Sequence, residues 1–242
     1  MNIAVIFAGG VGRRMHSRDI PKQFLRLHDK PIIIHTLECF ERHAAIDAIV
    51  VVCVKDWIDH LNQLLYKYRI EKVKKVVAGG ETGQLSIYNG LLAAEQIRSD
   101  DKKIVLIHDG VRPLINEDVI TNNIRSVEKY GSAITIAPEN ETILMVSENN
   151  EMIADQVLMR DKLRIARAPQ SFWLDDILAA HRKSIDENKT SFIDSGSMMR
   201  YYGHQLYLVD GPAENIKVTT PDDFYSMRAI LEARENEQLH VK

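Results

Sequence analysis

Cysteine is scarce: two residues, Cys39 and Cys53, in a chain of 242. One falls in an expected helix and the other in an expected strand. That excludes a disulfide scaffold and suits two reduced core thiols in the cytoplasm. No apolar run approaches the ~20 residues of a membrane span. The opening MNIAVIFAGG has no basic n-region and no cleavage site, so no signal peptide is expected. An excess of one charge is missing as well. The formal net charge is -3, and Lys and Arg are not pooled on one element, which leaves no basic face for nucleic acid. No His-Glu-x-x-His or clustered Cys/His spacing is present, which argues against zinc. Gly-Lys-Ser/Thr of a Walker-type loop is absent. So is the Asp-x-Asp that a metal-dependent glycosyltransferase would use. With no repeat, linker or low-complexity tract, the chain is expected to form one domain over residues 1–242.

What is present is an alternation of two patterns. Apolar β-rich runs at Ile3–Phe7, Ala48–Val54, Val73–Ala78, Ile104–Ile107 and Ala133–Ala137 read as buried strands. Between them, Pro31–His43, Trp57–Tyr68, Ser86–Ile97 and Glu117–Lys129 have helical spacing. Later, Leu174–Ile185 reads as a helix, Gln205–Val209 as a strand and Pro221–Glu235 as a terminal helix. Thr219 or Thr220 is the expected cap of that last helix, ahead of Pro221. The predicted class is α/β: a mostly parallel twisted sheet with helices on both faces. Around Glu148-Asn149-Asn150 two short extended runs, Thr142–Val146 and Met152–Val157, read as a projecting hairpin. Such an arm, at about 139–166, is too small to fold alone. It would exchange in a homodimer or lie back on its own domain.

In a doubly wound sheet, ligands bind beyond the carboxyl ends of the strands. Ala8-Gly9-Gly10 follows the first expected strand, with Gly12, Arg13 and Arg14 next and Lys22 after Pro21. Small residues there let backbone amides approach an anion. Arg14 and Lys22 would stabilise a triphosphate and its leaving pyrophosphate; the competing reading is a solvated loop. The dinucleotide fingerprint fails, because Met15 stands where a third glycine belongs. Gly79-Gly80-Glu81 follows another strand end, and Ser86 either donates to a ribose or phosphate or belongs to the helix's first turn. Asp109, at the end of a third strand, suits a carboxylate that holds Mg²⁺ together with substrate phosphates. Arg112 is placed either to bind acceptor or to fix Asp109. Lys217 would aim a cation at the rim or snorkel to solvent, and Arg160 is an exposed charge or a cation lent by a partner subunit.

AGGVGRRM with PKQFL, GGETGQLSIYNGL, HDGVRP, APQSF and NIKVTTPDDF, in that order over nearly the whole chain, resemble one family of cytidylyltransferases. It includes the enzymes of 2-C-methyl-D-erythritol 4-phosphate and of ribitol 5-phosphate. The resemblance implies a Rossmann-like nucleotidyltransferase core with a β-arm exchanged across a homodimer. It implies CTP as substrate, with Mg²⁺. Ala8, Gly9 and Gly10 match the loop that holds the nucleotide, and Arg14 and Lys22 match the cations on the reacting triphosphate. Gly80, Glu81 and Ser86 fall where the family recognises cytosine and ribose, and Asp109 matches its metal-associated carboxylate. Thr142, Arg160 and Lys217 align with acceptor-binding residues, Arg160 reaching across from the other subunit, and Arg112 is assigned to the same side.

Departures from the erythritol-phosphate pattern fall at Glu81-Thr82-Gly83, Asp109-Gly110-Val111, Ala168 and Ile193-Asp194-Ser195. They resemble the ribitol-phosphate and capsule-associated branch more. The implied reaction joins CTP and a polyol phosphate, D-ribitol 5-phosphate first, with methylerythritol phosphate as the alternative. A non-catalytic sugar-nucleotide sensor is disfavoured by the retention of both Arg14 and Lys22.

Overall fold

The computed structural model describes residues 1–9 and 20–235. Gly10, Gly12, Arg13 and Arg14 lie outside the described residues. The elements run β1 (Asn2–Ala8), β2 (Arg26–Leu27), β3 (Lys30–Pro31), α1 (Ile32–Arg42), β4 (Ala48–Cys53), α2 (Ile58–Lys67), β5 (Val73–Ala78), α3 (Gly83–Glu95) and β6 (Ile104–Asp109). They continue as α4 (Glu117–Tyr130), β7 (Ser132–Pro138), β8 (Leu144–Val146), β9 (Ala154–Val157), β10 (Arg164–Trp173), α5 (Leu174–Asp186), α6 (Ser195–Tyr201), β11 (Leu208–Asp210) and α7 (Pro221–Glu235). Seven strands form the main sheet in the order β11-β7-β10-β6-β1-β4-β5. All pairings are parallel except those of β10, which runs antiparallel to β6 and β7.

Both faces of the sheet are covered, and β1 shows how. Alternate side chains of a strand point to opposite faces. Ile3 and Val5 pack with Leu91 of α3, Ile177 of α5 and Met198 of α6. Ala4 and Ile6 pack with Leu37 of α1, Leu61 of α2 and Ile120 of α4. That is why β1 and β4 read as continuous apolar runs. A smaller cluster of Leu27, Ile32, Val111, Leu114, Val218 and Met227 seats α7 beside the loop that follows β6.

Local chemistry sets the helix starts. Thr82 Oγ1 accepts from Leu85 N at 3.2 Å, so α3 begins at Gly83, three residues earlier than its apolar spacing indicates. Asn116 caps α4 by accepting from Val119 N at 3.0 Å, and Gly131 closes that helix at φ 88°. Thr220 caps α7 as expected. Its N–H and that of Thr219 donate to Asp223 Oδ2 at 2.7 and 2.9 Å, and Pro221 takes the first helical position.

Besides the two-residue strands β2 and β3, two longer elements were not anticipated. β10 is a ten-residue strand with Pro169 inside it, a residue that cannot donate to a ladder. The register skips from Ala166 to Gln170 at that point, and the Ala168–Pro169 peptide is cis. Buried side chains hold the irregular stretch: Thr135 Oγ1 donates to Pro169 O at 2.7 Å and Asn215 Nδ2 to Ala168 O at 2.6 Å. The short α6 starts at a capping box in which Asp194 Oδ1 accepts from Ser197 N at 2.7 Å. The expected hairpin is present but shorter, with Ser147 N bonding Ile153 O at 2.9 Å across its turn. Cys39 and Cys53 are free thiols. No helix among the described residues is long and apolar enough to cross a membrane.

Candidate active site

Three strand ends meet on one edge of the sheet. Phe7 and Asp109 are partners in the parallel β1–β6 register, and Gly110 N donates to Phe7 O at 2.9 Å. The close approach needs small residues: a Cβ on Gly110 would sit 3.1 Å from Ala8 Cβ. From the neighbouring end, Gly79 N donates to Cys53 O at 2.9 Å. A Cβ on Gly79 would lie 3.0 Å from Ser86 Oγ, and one on Gly80 2.8 Å from Leu85 Cβ. Gly9 lies against the same Ser86 hydroxyl. Ala8, Gly9, Gly80 and Ser86 therefore come together as expected.

Ser86 does so as a structural tie. Its Oγ donates to Thr82 O at 2.8 Å and accepts from Gly80 N at 2.9 Å, which fixes the double-glycine turn above α3. Glu81 sits exposed at the tip of that turn. Gln23, part of PKQFL but given no role there, is buried, and its Nε2 donates to Ala8 O at 2.7 Å. Lys22 Nζ donates to Val218 O at 2.8 Å, which joins the segment after the first strand to the one before the last helix.

The charged centre lies one strand over. Asp109 Oδ1 is 2.5 Å from Lys217 Nζ, and Oδ2 is 2.7 Å from Arg112 Nε. Burial alone would raise this carboxyl, but Lys217 and then Arg112 overcome that and hold it far below the usual carboxylate range. Arg112 also donates through a terminal nitrogen to Asn215 O at 2.9 Å. It thus fixes Asp109 and the 215–218 segment at once, the second of the two roles open to it. Lys217 keeps more than a third of its side chain in solvent. His108, beneath them, has its Nε2 3.0 Å from Arg112 O, and burial pushes its imidazole down to about 4.

A cavity of about 280 Å³ opens beside this cluster. Asp109, Arg112 and Lys217 line it together with Ala168, Gln84, His181 and Ser195. Thr142 and Arg160 do not. Both are exposed, and an Arg160 terminal nitrogen donates to Asn140 O at 3.0 Å. Within one chain the structure does not bring those two residues to the centre.

Asn215, though it heads NIKVTTPDDF, and His181 were given no role in the sequence reading. Nothing in the sequence marks Asn215 as the brace between β10 and the Lys217 segment. His181 did leave a signal: it falls seven residues after Leu174 on the stripe that also holds Ile177 and Leu178.

Among the described residues no cluster of three acidic, His or Cys side chains exists. A lone carboxylate nonetheless fits Mg²⁺ delivered with phosphates, since that ion takes one or two carboxylates and keeps phosphate and water as its other ligands. Asp109 is ionised, and each of its oxygens has lone pairs beyond the one facing a cation.

Residues 2–233 match the family described as "IspD: 2-C-methyl-D-erythritol 4-phosphate cytidylyltransferase". Ribitol-5-phosphate cytidylyltransferase of Streptococcus agalactiae is 55% identical over 240 residues, covering 99% of each chain. The 2-C-methyl-D-erythritol 4-phosphate cytidylyltransferase of Clostridium botulinum is 40% identical over 231 residues, covering 96% of this chain and 97% of that one. In three dimensions, 4-diphosphocytidyl-2C-methyl-D-erythritol synthase of Anaerococcus prevotii superposes with a TM-score of 0.81 at 26% identity, over 96% of both chains. Paired strand ends, a doubly held aspartate and near full-length similarity agree, and the chain belongs to the IspD family of cytidylyltransferases.

Proposed function

We propose that this enzyme joins CTP and D-ribitol 5-phosphate to give CDP-ribitol and pyrophosphate. The observation that carries the choice of acceptor is the 55% identity, end to end, with a protein named for that reaction. An oxygen of the acceptor phosphate attacks the α-phosphorus of CTP in line, and the bond to the bridging oxygen breaks as pyrophosphate leaves. That attacking oxygen is already anionic at neutral pH, so positioning and charge neutralisation carry the catalysis.

In this reading Ala8, Gly9 and Gly10 cradle the nucleotide, and Arg14 and Lys22 neutralise the triphosphate. Gly80 and Glu81 meet the cytidine, while Ser86 holds their turn. Asp109 would hold Mg²⁺, which supplies charge neutralisation on the phosphates. Lys217 takes the acceptor's phosphate, and Arg112 keeps Asp109 and Lys217 in register. Thr142 and Arg160 reach the acceptor from a second subunit through the β8–β9 arm. Support for that exchange is the exposure of Leu144, Met145, Val146, Ile153 and Val157 on a two-stranded hairpin, a patch and a fold that both call for a partner. We place the enzyme in the cytoplasm, where CTP is made, and its product among activated precursors of teichoic acid or capsule.

The second reading is methylerythritol phosphate as acceptor, favoured by the 40% identical relative. The test is pyrophosphate release from CTP and Mg²⁺ with each acceptor. We expect kcat/KM for ribitol 5-phosphate to exceed the other by at least about a hundredfold, the scale of pocket discrimination. The reverse preference would establish the second reading.

A further inference from the structure

No step above uses helix α1, yet three of its residues, on one face of the helix, touch the turn that carries Asp109. Thr36 Oγ1 donates to Gly110 O at 3.1 Å. Cys39 Sγ lies 3.8 Å from Pro113 O. Phe40 meets the His108 ring edge-on with centroids 5.1 Å apart, and His108 Nε2 is 3.0 Å from Arg112 O. That nitrogen faces an acceptor, so it carries the ring's N–H. Arg112 N donates to Asp109 O at 3.1 Å, and Val218 N to Val111 O at 3.0 Å. Every carbonyl from Asp109 to Pro113 is thereby held, which leaves the turn no slack.

Thr36 stands out among these ties. It is fully buried on the stripe that also holds Ile32, Ile33, Leu37 and Phe40. A hydroxyl in such a place costs free energy unless it is bonded, and valine would fill the same shape without that cost. The carbonyl one turn back, Ile32 O, is 3.4 Å away, farther than Gly110 O, so the single hydroxyl proton goes to Gly110. Gly110 is then fixed at both ends, its N–H on Phe7 O of β1 and its carbonyl on α1. With both of its peptides held, the direction in which the Asp109 carboxylate leaves the strand is set.

Resting on the assignment of Asp109 made above, we propose that Thr36 is a positioning residue for the transfer: its hydroxyl locks the rim turn so that Asp109 faces the nucleotide's phosphates in one direction. His108 supports the same turn from the strand side through Arg112 O. Neither touches a substrate, and both act through Asp109. Thr36→Val puts a methyl where the oxygen was, inside ordinary carbon contact with Gly110 O, and the turn has to shift.

The test sets hydroxyl against shape. Thr36→Val keeps the shape and removes the donor; Thr36→Ser keeps the donor and removes a methyl. Turnover is measured with CTP, Mg²⁺ and the faster of the two acceptors named above. Thr36→Val is expected to lose about tenfold in kcat, less than the ~10²-fold of a 1 Å misplacement. Thr36→Ser should stay within about threefold of wild type, because it keeps the interaction at issue. Calorimetric affinity for CTP without metal should hold within about twofold in both, since binding made by the double-glycine turn is separate from this bond. In an Asp109→Asn background, Thr36→Val should cost less than about twofold more, as for residues that act as one unit. A serine variant as slow as the valine one, a valine variant as fast as wild type, a fall in metal-free CTP affinity, or full additivity with Asp109→Asn overturns the positioning role. Should Thr36→Val fail to fold, Thr36→Ala is compared with Thr36→Ser in its place, a pair that differs by the hydroxyl alone. Asp109→Asn that turns over like wild type overturns the underlying assignment instead.

Discussion

Asp109 governs the residue scale. It accepts from one ammonium and one guanidinium within 2.7 Å, so removing its charge leaves two cations facing each other. Asp109→Asn is expected to lower kcat/KM about 10² to 10³-fold, the usual scale for a lost preorganised charge. Lys217→Ala should act chiefly on the acceptor, and steady-state kinetics with both substrates varied separates the two. Because its folded pKa is depressed, the stability that Asp109 adds is complete above its ordinary range. It fades only in strong acid, as pH falls through the lowered value. His181 runs on a different window. It is buried neutral, with a folded pKa near 4 against about 6.5 unfolded. The unfolded chain therefore binds the extra proton first, and stability declines as pH falls from about 6.5 toward 4. By pH 5 this one ring should have cost about 2 kcal/mol. Urea unfolding at pH 7.5 and pH 5 should show a smaller drop for His181→Phe than for wild type; equal drops would mean the ring does not titrate in this window. Asp109, Arg112 and Lys217 were legible as residues, because charged side chains at strand ends stand out in a sequence. Gln23 and Asn215 were not. Polar residues in loops read as solvated, and only strands brought together from remote parts of the chain bury these two.

At the scale of elements, the parallel half of the sheet was visible because runs such as Ala48–Cys53, buried on both faces, are apolar throughout. β10 was hidden by its own composition. Arg164, Arg167 and Pro169 break the pattern that marks a strand; Arg164 pairs in register with Pro138, while Arg167 and Pro169 fall where the register jumps. Its buried ties should matter accordingly. Thr135→Val removes the donor to Pro169 O and leaves Asn123 and a carbonyl short of a partner. About 1–3 kcal/mol should be lost, read as a shift in the denaturation midpoint at unchanged slope. On the opposite flank, α3 lies so near the sheet that a Cβ on Gly90 would fall 2.7 Å from both Val5 and Val52. Gly90→Ala should cost about 1–3 kcal/mol by overpacking and weaken nucleotide binding, since α3 carries the double-glycine turn. Calorimetric Kd for CTP alongside the unfolding curve checks both parts.

At the scale of the molecule, the proposed exchange of arms makes a sharp prediction. Lys217→Ala and Arg160→Ala variants, each nearly inactive alone, should regain activity when unfolded together and refolded as a mixture. Half of randomly paired dimers are mixed and each holds one intact site, so roughly a quarter of wild-type activity should return. No recovery above the separate variants would show that Arg160 serves its own chain. The arm itself was legible because two short extended runs flanked a polar turn. Which chain it serves was not, since one sequence describes both copies alike.

The bond from Lys22 to Val218 has a consequence for biosynthesis. A ribosome has made most of the protein, with β1 to β10 available to pair, before the stretch holding Asn215, Lys217 and Val218 emerges. Until then Arg112 alone of its two cations faces the aspartate at the rim, and the bond from Lys22 to Val218 is not yet made. Nascent or prematurely terminated chains can thus carry most of the scaffold, the double-glycine turn included, while lacking the ammonium that faces Asp109, so the acceptor side of the centre is completed last.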